Sequence, residues 1–237
     1  AEVLARQYGI TRAESDAYAC QSQNRAEAAT RAGRFTREIA PVLVKGSTGT
    51  AVTIDTDEHP RFGTTVEALG RLPLAFPWVD GGEGIITAGT SSGITDGAAA
   101  VVLSSGEWAA RRGLAPRARI LGWASAGVDP RIMGIGPVPA IERLQKKTGL
   151  RLEDYDLVEL NEAFAAQVLA VLRDAPIAAG RLNVNGGAIA LGHPIGATGA
   201  RLVVTLLHEM ERRNVARGLA TLCVSGGMGM ALAIERP

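Results

Sequence analysis

Three short segments of this sequence place chemically reactive side chains next to glycines. Asn161 lies in NEAF, His193 lies in NGGAIALGHPIGA, and Cys223 lies in CVSGGMG. An imidazole can act as a general base or activate a thiol, and a thiol can pass a proton in either direction. Because glycines let a substrate approach and turn N–H groups can hold an oxyanion, the three segments predict a site for proton transfer.

Each of the three residues also has a structural explanation when it is taken alone. A single histidine most often has no catalytic role, and a cysteine is most often a small buried core residue. Asn161 stands where an asparagine commonly caps a helix, and no role can be assigned to Glu162. All three segments nevertheless lie where a predicted strand ends or a predicted helix begins, and ligands gather at such places in open α/β sheets.

The elements that must position these residues alternate between strand and helix from about residue 116 onward. Strands are predicted at residues 119–126, 156–160, 219–224 and 228–234, and helices at residues 139–147, 163–172 and 196–213. This alternation predicts an α/β domain. Two of the helices, which contain FAAQVLAVL and ARLVVTLLHEM, are apolar on nearly every face, so we expect them to be buried all round between two sheets.

The first half of the chain is different in character. Residues 1–84 are polar and predict an excursion domain, in which possible capping boxes at Thr11 and Thr64 begin two helices and Gly33 ends the first. Residues 85–115 predict a closing segment that joins this domain to the carboxyl-terminal domain at 116–237. Shorter elements are predicted as strands at residues 41–44, 51–54 and 97–103, the last of them buried, and as a helix at residues 106–112.

Composition argues against several classes of function. The formal net charge of +1 gives no electrostatic basis for binding nucleic acid. No apolar stretch approaches the ~18 residues of a membrane span, and the first residues do not resemble a signal peptide. The histidines at positions 59, 193 and 208 lack metal-ligand spacing. Two cysteines far apart predict a reducing compartment, which we take to be the cytoplasm, rather than a disulfide framework.

The three reactive segments together resemble, in order and spacing, the three carboxyl-terminal signatures of thiolases. The stretch DEHPRFGTTVEALGRLPLAF is similar to the thiolase loop domain, and TAGTSSGITDGAAAVVL is similar to the pantetheine-contacting segment that follows it. The similarity covers essentially all 237 residues. It implies the layered αβαβα fold of thiolases, with the carboxyl-terminal domain and loop domain present and the amino-terminal half mostly absent.

The segment NEAF also separates this sequence from other members of the superfamily. Thiolases of the sterol-carrier type carry a histidine motif at that position, and ketoacyl synthases share the fold but lack the hairpin thiol that matches Cys223. The segments DEHPR and TTVEAL look most like thiolases that break down fatty acyl or ketoacyl chains.

The resemblance implies a reaction and a role for each reactive residue. A thiolase uses CoA to cleave a 3-ketoacyl-CoA into acetyl-CoA and a shortened acyl-CoA, or runs the reverse condensation. By resemblance, His193 activates the nucleophilic cysteine and helps bind the thioester oxygen, and Asn161 holds a water that completes this first oxyanion hole. Cys223 shuttles the proton, and the backbone N–H of Ser225 contributes to the second oxyanion hole.

The resemblance also implies how the substrate is held. Ser92 and Gly93 match positions that line the pantetheine channel, and Phe164, with Ala163, matches the wall beside it. Coenzyme A is then a substrate, and no resident cofactor or metal is implied. The phosphates of CoA require basic residues, for which Arg61 and Arg71 are candidates by position only. Thiolases are usually dimers or tetramers, so a homo-oligomer is expected.

The nucleophile is the part of the family pattern that this sequence does not supply. The family places it roughly two-fifths of the family length before residue 1, and neither cysteine here can replace it. Cys223 has another role, and Cys20 is predicted to lie on the face of a helix. The missing region can be a separate chain, a segment lost by cleavage, or a genuine truncation.

Two functional hypotheses therefore remain, and a third is weaker. The chain is a thiolase whose nucleophile lies outside the 237 residues, or it is an inactive thiolase-like fragment that binds CoA esters or a partner chain. A dinucleotide-binding α/β domain is the weaker hypothesis, because no GxGxxG motif follows a predicted strand.

Overall fold

The carboxyl-terminal half of the molecule is built on a four-stranded mixed sheet. The computed structural model describes residues 1–46, 49–79 and 82–237. The strands of this sheet are β5 (Arg119–Gly127), β6 (Leu157–Leu160), β7 (Arg217–Val224) and β8 (Met228–Glu235). Two short antiparallel pairs precede it in the chain, β1 (Val42–Lys45) with β2 (Ala51–Ile54) and β3 (Trp78–Val79) with β4 (Gly82–Glu83). The predicted strands of this half, including the β7–β8 hairpin, are confirmed.

The order of the sheet is β5-β8-β7-β6, and its one parallel pair matters for the site. Strands β6 and β7 run parallel, whereas β8 is antiparallel to both β7 and β5. A parallel pair needs a long crossover connection. Here the crossover carries both Asn161 and His193, and it brings Asn161 beside β7, where its N–H donates to the Thr221 carbonyl at 2.9 Å.

Helices cover both faces of this sheet. The helices of the molecule are α1 (Glu2–Tyr8), α2 (Arg12–Arg31), α3 (Val66–Gly70), α4 (Gly106–Arg111), α5 (Pro137–Thr148), α6 (Ala165–Asp174), α7 (Ala188–Leu191) and α8 (Thr198–Arg213). Successive residues of a strand face opposite sides. Leu219 of β7 therefore joins the core that contains α5 and α6, whereas Ala220 joins the core beneath α8.

The expectation of two fully buried helices is half confirmed. Helix α6 is enclosed, with Ala166 and Val168 at 0% exposure, because α1 and α2 pack on the side away from the sheet. Helix α8 is buried along one side only. Leu206 is 1% exposed, whereas Val203 and Leu207 are only partly buried, because among the described residues no second sheet covers that side.

Helix ends follow the sequence signals closely, with one exception. Thr11 forms the predicted capping box with Glu14 at the start of α2, and Gly33 after its end has a φ of 65°. For α3 the predicted box at Thr64 is wrong. Thr65 caps this helix by accepting from the Ala68 N–H, and the Thr64 hydroxyl donates to a carbonyl instead.

The predicted buried strand at residues 97–103 is wrong. This segment pairs with no strand in the described part of the chain, and Val102 and Leu103 are 93% and 71% exposed. A strand is stable only when its backbone groups find a partner strand, and none is available here. The short helix predicted to follow it is confirmed as α4.

Helices α1 and α2 belong to the main body of the molecule. Leu4 of α1 and Ala19 of α2 are 0% exposed and lie in the same core as Leu160 of β6. The predicted boundaries after residues 84 and 115 remain predictions. Within the described ranges, no helix has the length and apolar character needed to cross a membrane.

Candidate active site

Asn161 follows the last residue of β6 and points at His193, which lies in residues 183–197, a segment that includes α7 and that we call the histidine loop. Its Nδ2 lies 3.4 Å from Nε2 of His193, and its Oδ1 is buried with no hydrogen-bond partner among the described residues. The N-cap of α6 is Phe164, so the capping explanation for Asn161 is wrong. A buried oxygen without a partner is unusual, and it indicates a position where a water or ligand donor fits.

His193 lies between α7 and α8. Besides Asn161, it contacts Gly93 and Thr198. Its backbone N–H donates to the Gly93 carbonyl at 2.9 Å, and its Nδ1 lies 2.6 Å from Oγ1 of Thr198. Burial lowers the pKa of His193, and the nearby positive charge of Arg201 lowers it further. The ring is therefore neutral at physiological pH, which is the form that can accept a proton.

Cys223 lies at the end of β7 immediately before a glycine turn. The side chain is buried, and burial raises the pKa of the Cys223 thiol to about 11. Gly226 and Gly227 both have a φ of 89°, which side-chain-bearing residues rarely adopt. A side chain at Gly227 would also collide with the Val128 carbonyl. The turn thus needs glycine, and it leaves Ser225 exposed at its tip.

The structure brings together the residues predicted to line the pantetheine channel. The Ser92 N–H donates to the Ala163 carbonyl at 3.0 Å, and the Ser92 hydroxyl lies 3.1 Å from the same oxygen. The neighbouring Ser91 forms a β-bridge with Phe164. Gly93 is in turn bonded to His193, so these residues connect the NEAF segment to the histidine loop.

Glu162 organises the site, although its sequence context gave no role. Its carboxyl oxygens accept hydrogen bonds from Tyr18 (2.9 Å), Ser22 (2.6 Å), Asn183 (2.9 Å) and the Ile189 N–H (3.2 Å). Glu162 is 1% exposed. It therefore ties α2 to the loop that carries His193.

Gly186 and Gly187 make this approach possible. A side chain at Gly187 would collide with the Glu162 carboxyl, and one at Gly186 would collide with the backbone of α2. The glycine pair in the sequence signature is thus explained by close packing of the histidine loop against α2 and NEAF.

A contact between Arg201 and the buried Glu159 was also missed by sequence reasoning, and the positive charge of Arg201 acts on His193. Nη1 of Arg201 lies 3.6 Å from Oε2 of Glu159, which is 2% exposed. Burial raises the pKa of Glu159 to about 8, against the opposing effect of Arg201. Glu159 and Arg201 are each flanked by apolar residues in the sequence, which does not predict a contact between them. The contact forms only when β6 and α8 pack together.

The remaining candidates lie outside this cluster. The Cys20 thiol of α2 is buried and lies 3.4 Å from the Thr64 carbonyl, and His208 of α8 contacts Arg117 at 3.2 Å. Arg61 lines a surface cavity of about 310 Å³ with Glu58, His59, Pro60 and Thr95, and Arg71 follows the end of α3.

Comparison with known families defines the class of protein. The family model for the thiolase amino-terminal domain matches residues 1–107, and the model for the thiolase carboxyl-terminal domain matches residues 114–236. The chain therefore belongs to the thiolase family, and the α/β, thiolase-like layered αβαβα fold class is confirmed. Because the first match covers residues 1–107, the expectation that the amino-terminal half is mostly absent is not supported.

Individual relatives support the same assignment. The chain is 54% identical over 237 residues to an acetyl-CoA acetyltransferase of Paracoccus denitrificans, and 53% identical over 238 residues to a β-ketoadipyl-CoA thiolase of Pseudomonas aeruginosa. All of the chain is covered in both alignments, which span 59% and 58% of those proteins. The chain thus spans about three-fifths of the length of these relatives.

Solved structures agree in fold. The acetyl-CoA acetyltransferase of Bacillus anthracis superposes with a TM-score of 0.95 at 48% identity, covering 100% of this chain and 59% of that one. Human mitochondrial 3-ketoacyl-CoA thiolase superposes with a TM-score of 0.91 at 44% identity, covering 99% and 58%.

Proposed function

We propose that this chain is the larger part of a thiolase-type acyltransferase. The enzyme would use CoA to cleave a 3-ketoacyl-CoA into acetyl-CoA and a shortened acyl-CoA, or run the reverse condensation. The observation that carries the proposal is the pairing of Asn161 with His193 at 3.4 Å, beside an Asn161 Oδ1 that lacks a partner in the described residues. The names of the relatives, an acetyl-CoA acetyltransferase and a β-ketoadipyl-CoA thiolase, support it.

In the proposed reaction a thiol adds to the keto carbon and the carbon–carbon bond next to it breaks. His193 takes the proton of that thiol at Nε2, and the ring N–H so formed then faces the thioester oxygen. A water held by Asn161 Oδ1 donates the second hydrogen bond to that oxygen. These two donors would stabilise the negative charge that develops there.

The electron pair of the broken bond goes to the acetyl-CoA enolate, which needs a proton. A thiol with a pKa of about 11 is protonated at neutral pH, so Cys223 can supply this proton to carbon and regain one from the incoming CoA thiol. The Ser225 N–H at the tip of the turn would hold the enolate oxygen. The CoA thiolate then attacks the acyl thioester, the shortened acyl-CoA leaves, and the released thiolate regains the proton held by His193. Atoms and charge therefore balance over one turnover.

We propose that the acyl chain and pantetheine pass along the surface that the Ser92–Gly93 segment forms together with Ala163 and Phe164. Their hydrogen bonds to each other and to the histidine loop support this path. Arg61 and Arg71 remain candidates for the CoA phosphates. No acyl chain length is assigned.

Assembly and location complete the proposal. The β1–β2 hairpin exposes apolar side chains, including Val42 at 57% and Leu43 at 71%, and such a surface supports a homo-oligomer. Both cysteines are free, which favours a reducing compartment such as the cytoplasm.

We propose that the nucleophile is a third thiol that lies outside the 237 residues, in the same polypeptide or in a separate one. Burial holds Cys223 in its thiol form, and Cys20 is enclosed near the Thr64 carbonyl. The same observations favour a second candidate function. If no third thiol joins the chain, it would bind CoA esters without turnover.

Thiolysis of acetoacetyl-CoA by the protein isolated from its source tests the proposal, together with the intact mass of that protein after denaturation. We expect CoA-dependent cleavage to accompany a third cysteine, and His193→Ala to lower the rate about 10²-fold or more. His208→Ala, a histidine change on α8 outside the site, should leave the rate unchanged.

Two results would decide against parts of this proposal. A single species of 24.7 kDa that binds acetyl-CoA without cleaving acetoacetyl-CoA would establish the binding function instead. A cleavage rate that Cys223→Ala leaves unchanged would remove Cys223 from the mechanism.

A further inference from the structure

Thr198 is a buried residue that touches His193 and that no sequence signature singled out. It is the first residue of α8 and is 0% exposed. Its Oγ1 lies 2.6 Å from Nδ1 of His193 and 3.0 Å from the Pro194 carbonyl oxygen. Its backbone N–H also donates to the Pro194 carbonyl at 2.9 Å, so the helix start fixes where the hydroxyl points.

The hydrogens available in this contact limit the state of the imidazole. A hydroxyl has one hydrogen, and Thr198 donates it to the Pro194 carbonyl. The short contact with His193 is then a hydrogen bond in which Nδ1–H donates to the threonine oxygen.

The other side of the ring leads to the same assignment. Nε2 of His193 faces Nδ2 of Asn161, which can only donate. Both contacts are hydrogen bonds when Nδ1 carries the proton and Nε2 presents its lone pair, and the reacting thiol then replaces the long Asn161 contact at Nε2. The reverse state would need the Thr198 hydrogen turned away from Pro194 and the Asn161 amide rotated by half a turn.

We propose that Thr198 is a positioning residue that selects the Nδ1–H tautomer of His193 and so presents the Nε2 lone pair to the reacting thiol. The inference rests on the proposed function, in which His193 is the base. A ring that carried its proton on Nε2 could not take another from a thiol at that atom. The Nε2–H form is the more common one for a neutral histidine in water, so the selection has a chemical consequence.

Nitrogen NMR of the histidine side chains tests the inference directly. The protein contains three histidines, so ¹⁵N-histidine labelling gives a simple spectrum, and the His193 signals are those lost in His193→Gln. Long-range ¹H–¹⁵N correlations, recorded near pH 8 where the ring is neutral, distinguish a protonated nitrogen from a bare one. We expect protonated Nδ1 and bare Nε2 in the unaltered protein.

Three variants separate the hydroxyl from the shape of the side chain. Thr198→Ser keeps the hydroxyl and should keep the Nδ1–H signature, whereas Thr198→Val has nearly the same shape and should shift the ring to Nε2–H. Thr148→Val is the matched control, because the Thr148 hydroxyl donates in the same way to the carbonyl four residues earlier, at 2.9 Å, without touching a histidine. It should leave the His193 spectrum unchanged.

The outcomes are decisive even if Thr198→Val fails to fold. An Nε2–H signature for His193 in the unaltered protein would overturn the inference, and so would an unchanged Nδ1–H signature in folded Thr198→Val. In the active enzyme, Thr198→Val should lower the cleavage rate about 10²-fold, with recovery in Thr198→Ser. Because the spectrum reports the ring itself, absence of thiolase activity would count against the proposed function alone.

Discussion

His193 and Cys223 are both uncharged in this molecule at neutral pH, and burial strengthens that state in each. Burial lowers the pKa of the imidazole and raises the pKa of the thiol to about 11. The same loss of solvent disfavours the cationic form of one group and the anionic form of the other. An uncharged base and an uncharged acid are therefore available together, which suits a reaction that moves protons in both directions.

The state of Cys223 predicts how its alkylation depends on pH. The rate at which iodoacetamide modifies Cys223, followed on the peptide that contains it, should rise about tenfold per pH unit from about pH 7 to about pH 10, because only the thiolate reacts. Mass spectrometry of timed samples measures the rate. The same protein after denaturation is the control, and its rate should level off near the ordinary thiol pKa. A native rate that is already level at pH 7 would contradict a protonated Cys223.

Among individual residues, those in glycine-rich segments could be predicted as site candidates from the sequence. Residues whose contacts form only in the folded chain could not. Asn161, His193 and Cys223 stand in recognisable segments, although their roles remain proposals. Thr198 lies outside those segments, and Glu162 lies in NEAF but the segment indicates no role for it. The partners of Glu162 on α2 are 140 and 144 residues away, and only the folded chain brings them together.

Among the elements, the contact between α2 and the histidine loop has the clearest energetic basis. Each Glu162 oxygen accepts two hydrogen bonds, Oε1 from Tyr18 and Asn183, and Oε2 from Ser22 and the Ile189 N–H. Both carboxyl oxygens of Glu162 face donors only, so a side chain that carries a hydrogen of its own at either oxygen position would meet those donors.

Glu162→Gln should therefore destabilise the protein by about 2 to 4 kcal/mol, because either orientation of the amide sets an NH₂ group against two donors. The free energy of unfolding in urea measures this. Tyr18→Phe removes one donor and should cost about 1 kcal/mol. Equal stability of Glu162→Gln and the unaltered protein would show that this network does not hold the loop.

Element prediction succeeded where local chemistry sets the ends and failed where a distant partner decides. Gly149 follows α5 as the sequence signals indicate, and it adopts a left-handed φ of 74°. Residues 97–103 have the composition of a buried strand, but strand formation depends on a neighbour that their own sequence cannot supply. Helix α8 has apolar residues on several faces, and from the sequence alone we expected it to be buried all round, whereas the described residues cover only one side.

On the scale of the whole molecule, buried acidic groups beneath α8 make stability depend on pH. Burial raises the pKa of Glu159 to about 8, and burial likewise raises the pKa of Glu38 to about 7. An acid with a raised pKa keeps its proton in the folded state after the unfolded chain has lost it. Its contribution to stability is complete below the ordinary pKa and is lost as the pH rises through the folded value.

Glu159→Gln should remove the part of this dependence that belongs to Glu159. From about pH 5 to about pH 8, the unaltered protein should lose stability relative to the variant, by at most about 1.4 kcal/mol per pH unit. Urea unfolding at several pH values gives the difference, which also contains the electrostatic coupling between Glu159 and Glu38. Glu142→Gln, on the exposed side of α5, is the control for replacing a glutamate. A difference that stays constant with pH for Glu159→Gln would contradict the raised pKa.

The overall architecture could be predicted only through family resemblance. Strand and helix alternation predicts an α/β domain, but it does not order β5-β8-β7-β6 or assign α8 to the opposite face from α5 and α6. Those features depend on the crossover between β6 and β7 and on side-chain alternation along each strand. The domain boundaries at residues 84 and 115 remain untested predictions.

Helix α2 also limits how genes for such proteins can be recombined. It lies within the match to the amino-terminal family domain, residues 1–107, yet its Ser22 and Gln23 bond to groups in the match at 114–236, namely Glu162 and the Ile189 carbonyl. A crossover at residues 108–113 would join halves from two parents and set unmatched partners around a buried carboxyl group. A recombined gene should therefore take α2, NEAF and the Gly186–Gly187 segment from the same parent, although the family boundary lies between them.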